Sequence, residues 1–142
     1  CSAALRELLI NRARPFIYST ALPPAALAGA LAAVRRVRRE PELGARLLER
    51  VRFFHARLLA EGFVLPAPES QILPLPVRGN ERALEFARRL RARAIVATAI
   101  RAPTVPAGAE RLRLSVTLAH TEADLAEAAA ALGKTARELG VL

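Results

Sequence analysis

Three residues in the last third of the chain combine useful chemistry with a rigid setting. Arg101 closes an apolar run, Thr104 lies between Pro103 and Pro106, and Arg113 sits in the alternating stretch from Leu112 to Leu118. A planar guanidinium held on a strand is suited to gripping a carboxylate through two parallel hydrogen bonds. If the last two strands lie side by side, these groups converge at one edge of a sheet, where rigid elements rather than loose loops position them. The plainer reading of each arginine is a surface charge paired with a nearby glutamate.

No self-contained catalytic constellation accompanies them. The chain has no glycine-rich phosphate loop followed by lysine, no His and Glu at zinc-binding spacing, and no serine in a nucleophile elbow. His120 falls between a strand and a helix cap, where bracing the junction is the expected role. His55 lies beside an apolar helical stripe and reads as packed or half-exposed. Cys1 is the only cysteine, which excludes an internal disulfide framework and a multi-cysteine zinc site and fits a reducing, cytoplasmic setting. With no Met and Cys1 at its start, the chain reads as a piece of something longer.

Composition narrows the partners. The formal charge of +9 invites a nucleic-acid hypothesis, since clustered cations release counterions from phosphate backbones. All but one of the 22 basic residues are arginine, however, and most recur at helical spacing opposite apolar positions, as on a solvated face. One Tyr and no Trp leave few platforms for base stacking. Neither a nucleic acid nor a membrane is therefore an expected partner: the weakly polar stretch from Ala21 to Val34 is short, opens on Pro23 and Pro24, and is mostly alanine.

The elements that must carry these residues follow from periodicity. Ala3 to Arg14 reads as a helix, Pro15 as its breaker, and Phe16, Ile17 and Tyr18 as an extended run ending in the polar turn Ser19 and Thr20. Pro23 and Pro24 suit the first turn of a second helix reaching about Arg39, because the N–H that proline lacks has no partner there. Leu43, Leu47, Val51, Phe54 and Leu58 mark one buried stripe of a third helix, capped by Gly62. Gln71 to Val77 reads as a strand that lies at an edge or carries its hydrogen bonds irregularly, since Pro74 and Pro76 remove ladder donors. A helix from Glu81 to about Arg93 buries Leu84, Ala87 and Leu90, and Ile95 to Ile100 reads as a central strand covered on both sides. Leu112 to Leu118 alternates cleanly, with Arg113, Ser115 and Thr117 opposite the leucines and Val116. Thr121 and Asp124 form a capping box for the last helix, which Gly140 stops. The predicted architecture is α/β, with helices over a small, mostly antiparallel sheet of about three strands.

Two stretches resemble a known family. The run LLINRARPFIYSTALPP, from Leu8 to Pro24, and the run AIRAPTVPAGAERLRLSVTLAH, from Ala99 to His120, are similar to characteristic segments of the α-oxoamine synthases and occur in the expected order. The resemblance covers essentially the whole chain and implies the C-terminal portion of a fold-type-I enzyme that uses pyridoxal 5'-phosphate. Such enzymes work as homodimers and condense an amino acid with an acyl-CoA, releasing CO2 and CoA. The cofactor supplies the electron sink. The family division implied is 1–40 for helices that link from a larger domain and reach the dimer interface, and 41–142 for the C-terminal small domain.

The same resemblance implies roles for particular residues. Arg113 in the RLR element matches the arginine that holds the amino acid's carboxylate, Thr104 a threonine near the acyl substrate, and Arg101 a weaker candidate for that region. Ser19 and Thr20 match hydroxyl residues that reach across the dimer to the cofactor's phosphate, whose oxygens only accept hydrogen bonds. No match exists for the family's Schiff-base lysine: Lys134, the only lysine, stands in the final helix without the motif. The 142 residues alone are thus expected to be inactive and not to hold the cofactor covalently. Within the family the sequence leans toward the members that take L-alanine and a pimeloyl thioester to a biotin precursor. Glycine C-acetyltransferases are the alternative, and an arginine-rich nucleic-acid module is the alternative from another class.

Overall fold

The computed structural model describes residues 1–142. The chain divides into two compact units, Cys1–Pro41 and Glu42–Leu142. The first holds α1 (Ala3–Arg12), α2 (Arg14–Ile17) and α3 (Pro24–Arg39). The second holds α4 (Leu43–Ala60), β1 (Ile72–Pro76), α5 (Asn80–Arg91), β2 (Thr98–Ile100), β3 (Arg111–Ser115) and α6 (Glu122–Glu138).

No residue of α1, α2 or α3 is buried, and Leu27, Leu31 and Val34 on α3 are about half exposed. The run Phe16 to Tyr18 is not extended as its composition suggests but turns as helix: Ile17 N–H donates to Ala13 O at 3.0 Å and Tyr18 N–H to Arg14 O at 3.0 Å. Pro15 occupies the first turn of α2, where its missing N–H costs no bond, so it starts a helix instead of merely breaking one. The preceding helix accordingly stops at Arg12, with Ala13 extended.

In the second unit a three-stranded antiparallel sheet of order β1-β3-β2 is covered on one face by helices. Alternation along β3 sends Leu112 and Leu114 into the core, where they pair with Leu75 and Leu73 of β1 and meet Val51, Leu58, Phe86 and Leu132. The two prolines of β1 are accommodated by parity. Val77 N–H donates to Glu110 O at 2.9 Å and Val116 N–H to Gln71 O at 3.0 Å, so odd-numbered residues of β1 face β3. Pro74 and Pro76 therefore point their missing donors at the free edge.

Three expectations for this unit are corrected. The run from Ile95 forms neither a central nor a doubly covered strand: only Thr98–Ile100 pairs, at the sheet edge. Its first residues are consumed in ending α5, because Ala94 adopts φ +60° and Ile95 N–H reaches back to Leu90 O at 3.0 Å, the bond of a left-handed helix stop. The central strand stops at Ser115 instead of Leu118, since Thr117 N–H is taken by His120 Nδ1 at 3.1 Å and the chain turns there. On α5 the buried stripe is Ala83, Phe86 and Leu90, and Leu84 is exposed.

The helices dock closely. At Gly133 of α6 a Cβ would run into the side chain of Glu61, and that carboxylate, just past the end of α4, pairs with Arg137 at 2.8 Å. Thr121 and Asp124 form the reciprocal capping box at the start of α6, and Gly62 (φ +104°) carries the turn after α4. Part of the positive charge is answered internally: Glu85 pairs with Arg88 and Arg89, both at 2.7 Å, which lower its pKa from the ordinary carboxylate value to about 2.

This packing predicts unequal costs along α5. Phe86→Ala, at a fully buried site, should lose about 3–5 kcal/mol of unfolding free energy by chemical denaturation, whereas Leu84→Ala should change it by less than about 0.5 kcal/mol.

Candidate functional site

The face of the sheet away from the helices is built by the other parity of each strand. Arg113 stands at its centre on β3, exposed, opposite Pro74 of β1 and Thr98 of β2. Arg111 and Ser115 share its face, one strand repeat away on either side. Arg113 has no acidic side chain within ion-pair distance, unlike Arg88, Arg89, Arg93 and Arg137. Arg111 donates from Nε to Ala109 O at 2.9 Å. Arg113 is therefore an exposed guanidinium on the central strand whose donors remain available to an anion.

Arg101 and Thr104 lie beyond the end of β2, in the loop that joins it to β3. Because Thr98 pairs with Arg113, Arg101 is three residues along the strand direction, roughly 10 Å away at about 3.3 Å per residue. Arg101 and Thr104 thus lie beyond the end of the sheet and do not meet Arg113 at a point. Both loop residues are exposed, and Thr104 N–H donates to Arg101 O at 2.9 Å, which curls the loop into a turn.

The loop is held by polar contacts that sequence patterning did not single out. Asn80 Oδ1 accepts the N–H of Ala102 at 3.1 Å. Glu110, only 5% exposed, accepts Gly108 N–H at 3.0 Å and Gly79 N–H at 3.2 Å on one carboxylate oxygen. Its own backbone N–H, then those of Gly79 and Gly108, hold its carboxyl below the usual carboxylate range. The sign of this acid was legible: Glu110 has the same strand parity as Leu112 and Leu114, so it had to be buried and had to find donors.

Ser19 and Thr20 follow α2 in the first unit as an exposed turn, with Ser19 Oγ donating to Phe16 O at 3.0 Å. Elsewhere, a cavity of about 360 Å³ is lined by Phe54, Ile95, Leu114, His120, Asp124 and Leu132, and a smaller one of about 210 Å³ by Arg46, Glu49, Arg50, Leu118 and Glu122. Neither includes Arg113, Arg101 or Thr104. Arg113 stands on the open face of the sheet, outside both cavities. Arg50 donates to the carbonyls of Leu118 and His120, tying α4 to the turn after β3, and His120 braces that turn as expected. His55 Nε2 is buried without a partner. Lys134 is exposed on α6, and no group of His, Cys, Asp and Glu could hold a metal ion.

With that geometry in hand, comparison with known proteins decides the family. The model of the class I and II aminotransferases matches residues 1–132. The chain belongs to that family. It is 47% identical over 133 residues to the 8-amino-7-oxononanoate synthase of Methylobacterium nodulans, covering 94% of this chain and 34% of the relative. The synthase of Geobacter sulfurreducens is 45% identical over 144 residues, covering 99% of this chain and 37% of its own length. Among solved structures, 8-amino-7-oxononanoate synthase from Francisella tularensis superposes with a TM-score of 0.78 at 27% identity, over 96% of this chain and 40% of that one. A serine palmitoyltransferase variant from S. paucimobilis, solved with a PLP-myriocin aldimine bound, gives 0.84 at 28% identity, over 96% and 35%. The chain thus spans about a third of the length of the curated relatives it matches.

The buried acid predicts a pH signature. A carboxyl depressed in the folded state contributes stability above its ordinary value of about 4.3 and loses it as pH falls through the depressed value. Thermal melts followed by circular dichroism should be level near neutrality and fall below about pH 4.5, with Glu110→Gln melting lower at pH 7 and converging on the parent in acid. Parallel curves for the two proteins would contradict the assignment.

Proposed function

We propose that these residues are the C-terminal part of an 8-amino-7-oxononanoate synthase, which condenses L-alanine with a pimeloyl thioester to 8-amino-7-oxononanoate, CO2 and CoA in biotin synthesis. The supporting observation is similarity along nearly the whole chain, at 42–47% identity, to several synthases of that name. The open sheet face agrees with it, because an unpaired guanidinium at its centre is what an amino-acid carboxylate requires. In this reading residues 41–142 form the small domain and residues 1–40 link it to the remainder of a cytoplasmic homodimer. The half-exposed apolar residues of α3 are available for such an interface.

The roles then divide between elements. Arg113 binds and orients the carboxylate of L-alanine, with the rigid central strand keeping the fork in place. Thr104, with Arg101 beside it, meets the acyl thioester from the loop end of the sheet. Ser19 and Thr20 donate hydroxyls to the phosphate of pyridoxal 5'-phosphate, a donor set that fits phosphate and offers no covalent anchor. When bound, that cofactor supplies an electron sink for the carbanion at the amino acid's α-carbon. Lys134 pairs with none of these residues and takes no part.

Assaying the full-length enzyme with L-alanine and glycine against pimeloyl and acetyl thioesters tests this reading. Turnover of L-alanine with the pimeloyl thioester is expected; preference for glycine with the acetyl thioester would replace it with a glycine C-acetyltransferase. Arg113→Ala should lower kcat/KM for the amino acid by about 10- to 100-fold, as loss of a charge-assisted hydrogen bond implies.

A further inference from the structure

The loop Arg101–Gly108 is exposed over most of its length and has no fully buried apolar residue to anchor it. Its placement comes from two side chains outside it. Near its start, Asn80 Oδ1 holds the N–H of Ala102 at 3.1 Å. At its end, both carboxylate oxygens of Glu110 lie within 3.1 Å of Gly108 N. The two anchors are not independent, because Glu110 Oε2 also accepts the N–H of Gly79, the residue before Asn80. Gly79 holds φ +96°, a conformation side-chain-bearing residues rarely adopt, and so turns its N–H toward the acid. Both ends of the loop are thereby referred to one dipeptide at the start of α5. Between them, Pro103, Pro106 and the bonds from Thr104 and Val105 N–H to Arg101 O remove most remaining freedom.

We propose that Asn80 and Glu110 are positioning residues that set Thr104 against the acyl thioester and so govern the enzyme's choice of acyl substrate. The inference rests on the reading of the loop as the acyl-facing element. Its content is that the two residues act on one substrate only. Arg113, which takes the amino acid, is carried by the interior of β3 and makes no contact with Asn80 or Glu110, so loosening the clamp leaves the carboxylate site in place. Neither residue touches substrate in this account; each acts through backbone N–H groups of the loop.

The test is a split of kinetic constants in the full-length enzyme. Asn80→Ala and Glu110→Ala should each raise KM for the pimeloyl thioester by about 10-fold, while KM for L-alanine stays within about twofold, as expected for loss of one or two loop hydrogen bonds. Asn80→Asp, which keeps an oxygen acceptor, should restore the acyl KM. Equal rises in both constants, or no change in either, would overturn the proposal. If Glu110→Ala fails to fold, Asn80→Ala, which gives up a single hydrogen bond, still decides it. Amide exchange separates the clamp from the enzymatic reading: Asn80→Ala should speed exchange at Ala102 about 10-fold or more whatever the substrates prove to be. Unchanged exchange removes the clamp itself. Faster exchange in an enzyme that condenses neither thioester keeps the clamp and overturns its acyl role.

Discussion

A carboxylate inside the sheet's core edge organises the loop between β2 and β3 and the start of α5. Strand alternation places Glu110 on the same side as Leu112 and Leu114, and an acid there is tolerated only if its oxygens are satisfied. The donors it recruits are backbone groups of Gly79 and Gly108, so the start of α5 and the end of the preceding loop are drawn to the mouth of β3. Hydrogen bonds to a charged acceptor are stronger than neutral ones, and both amides belong to glycines of positive φ. The geometry of the loop is thus a consequence of satisfying one buried charge.

The sheet divides labour between its two faces. Leucines on one side knit β1 and β3 to α4, α5 and α6; on the other side Arg113, Thr98 and Ser115 stand exposed on a rigid frame. The proline positions in β1 preserve this arrangement, since parity sends their missing donors to the free edge, away from β3. A central strand bonded on both sides holds the backbone of Arg113 more firmly than an edge strand or a loop would. Some of the other arginines face acids instead. Arg93 is engaged by Thr135 and Glu138, and Arg137 by Glu61, which also accounts for part of the basic composition without a polyanionic partner.

What was legible in the sequence was whatever depends on period and local chemistry. The stripe of α4, the alternation of β3, the capping box at Thr121 and Asp124, the glycine stops at Gly62 and Gly140, and the edge character of the proline-bearing strand all follow from neighbours a few residues apart. The family likeness was equally readable, because two long segments carry it. Apolar runs without a period were misread: Phe16 to Tyr18 turns as helix, and the residues from Ile95 close α5 before any strand begins.

Tertiary structure decided the remainder. That Arg113 lacks an acidic partner while Arg93 and Arg137 have one depends on which elements meet, and no spacing encodes it. The same holds for the clamp joining Asn80 to Ala102 and Glu110 to Gly79, contacts 22 and 31 residues apart. Local pattern determines which face of a strand or helix a side chain occupies; only packing determines what stands opposite it, because that depends on the register and order of strands distant in the chain.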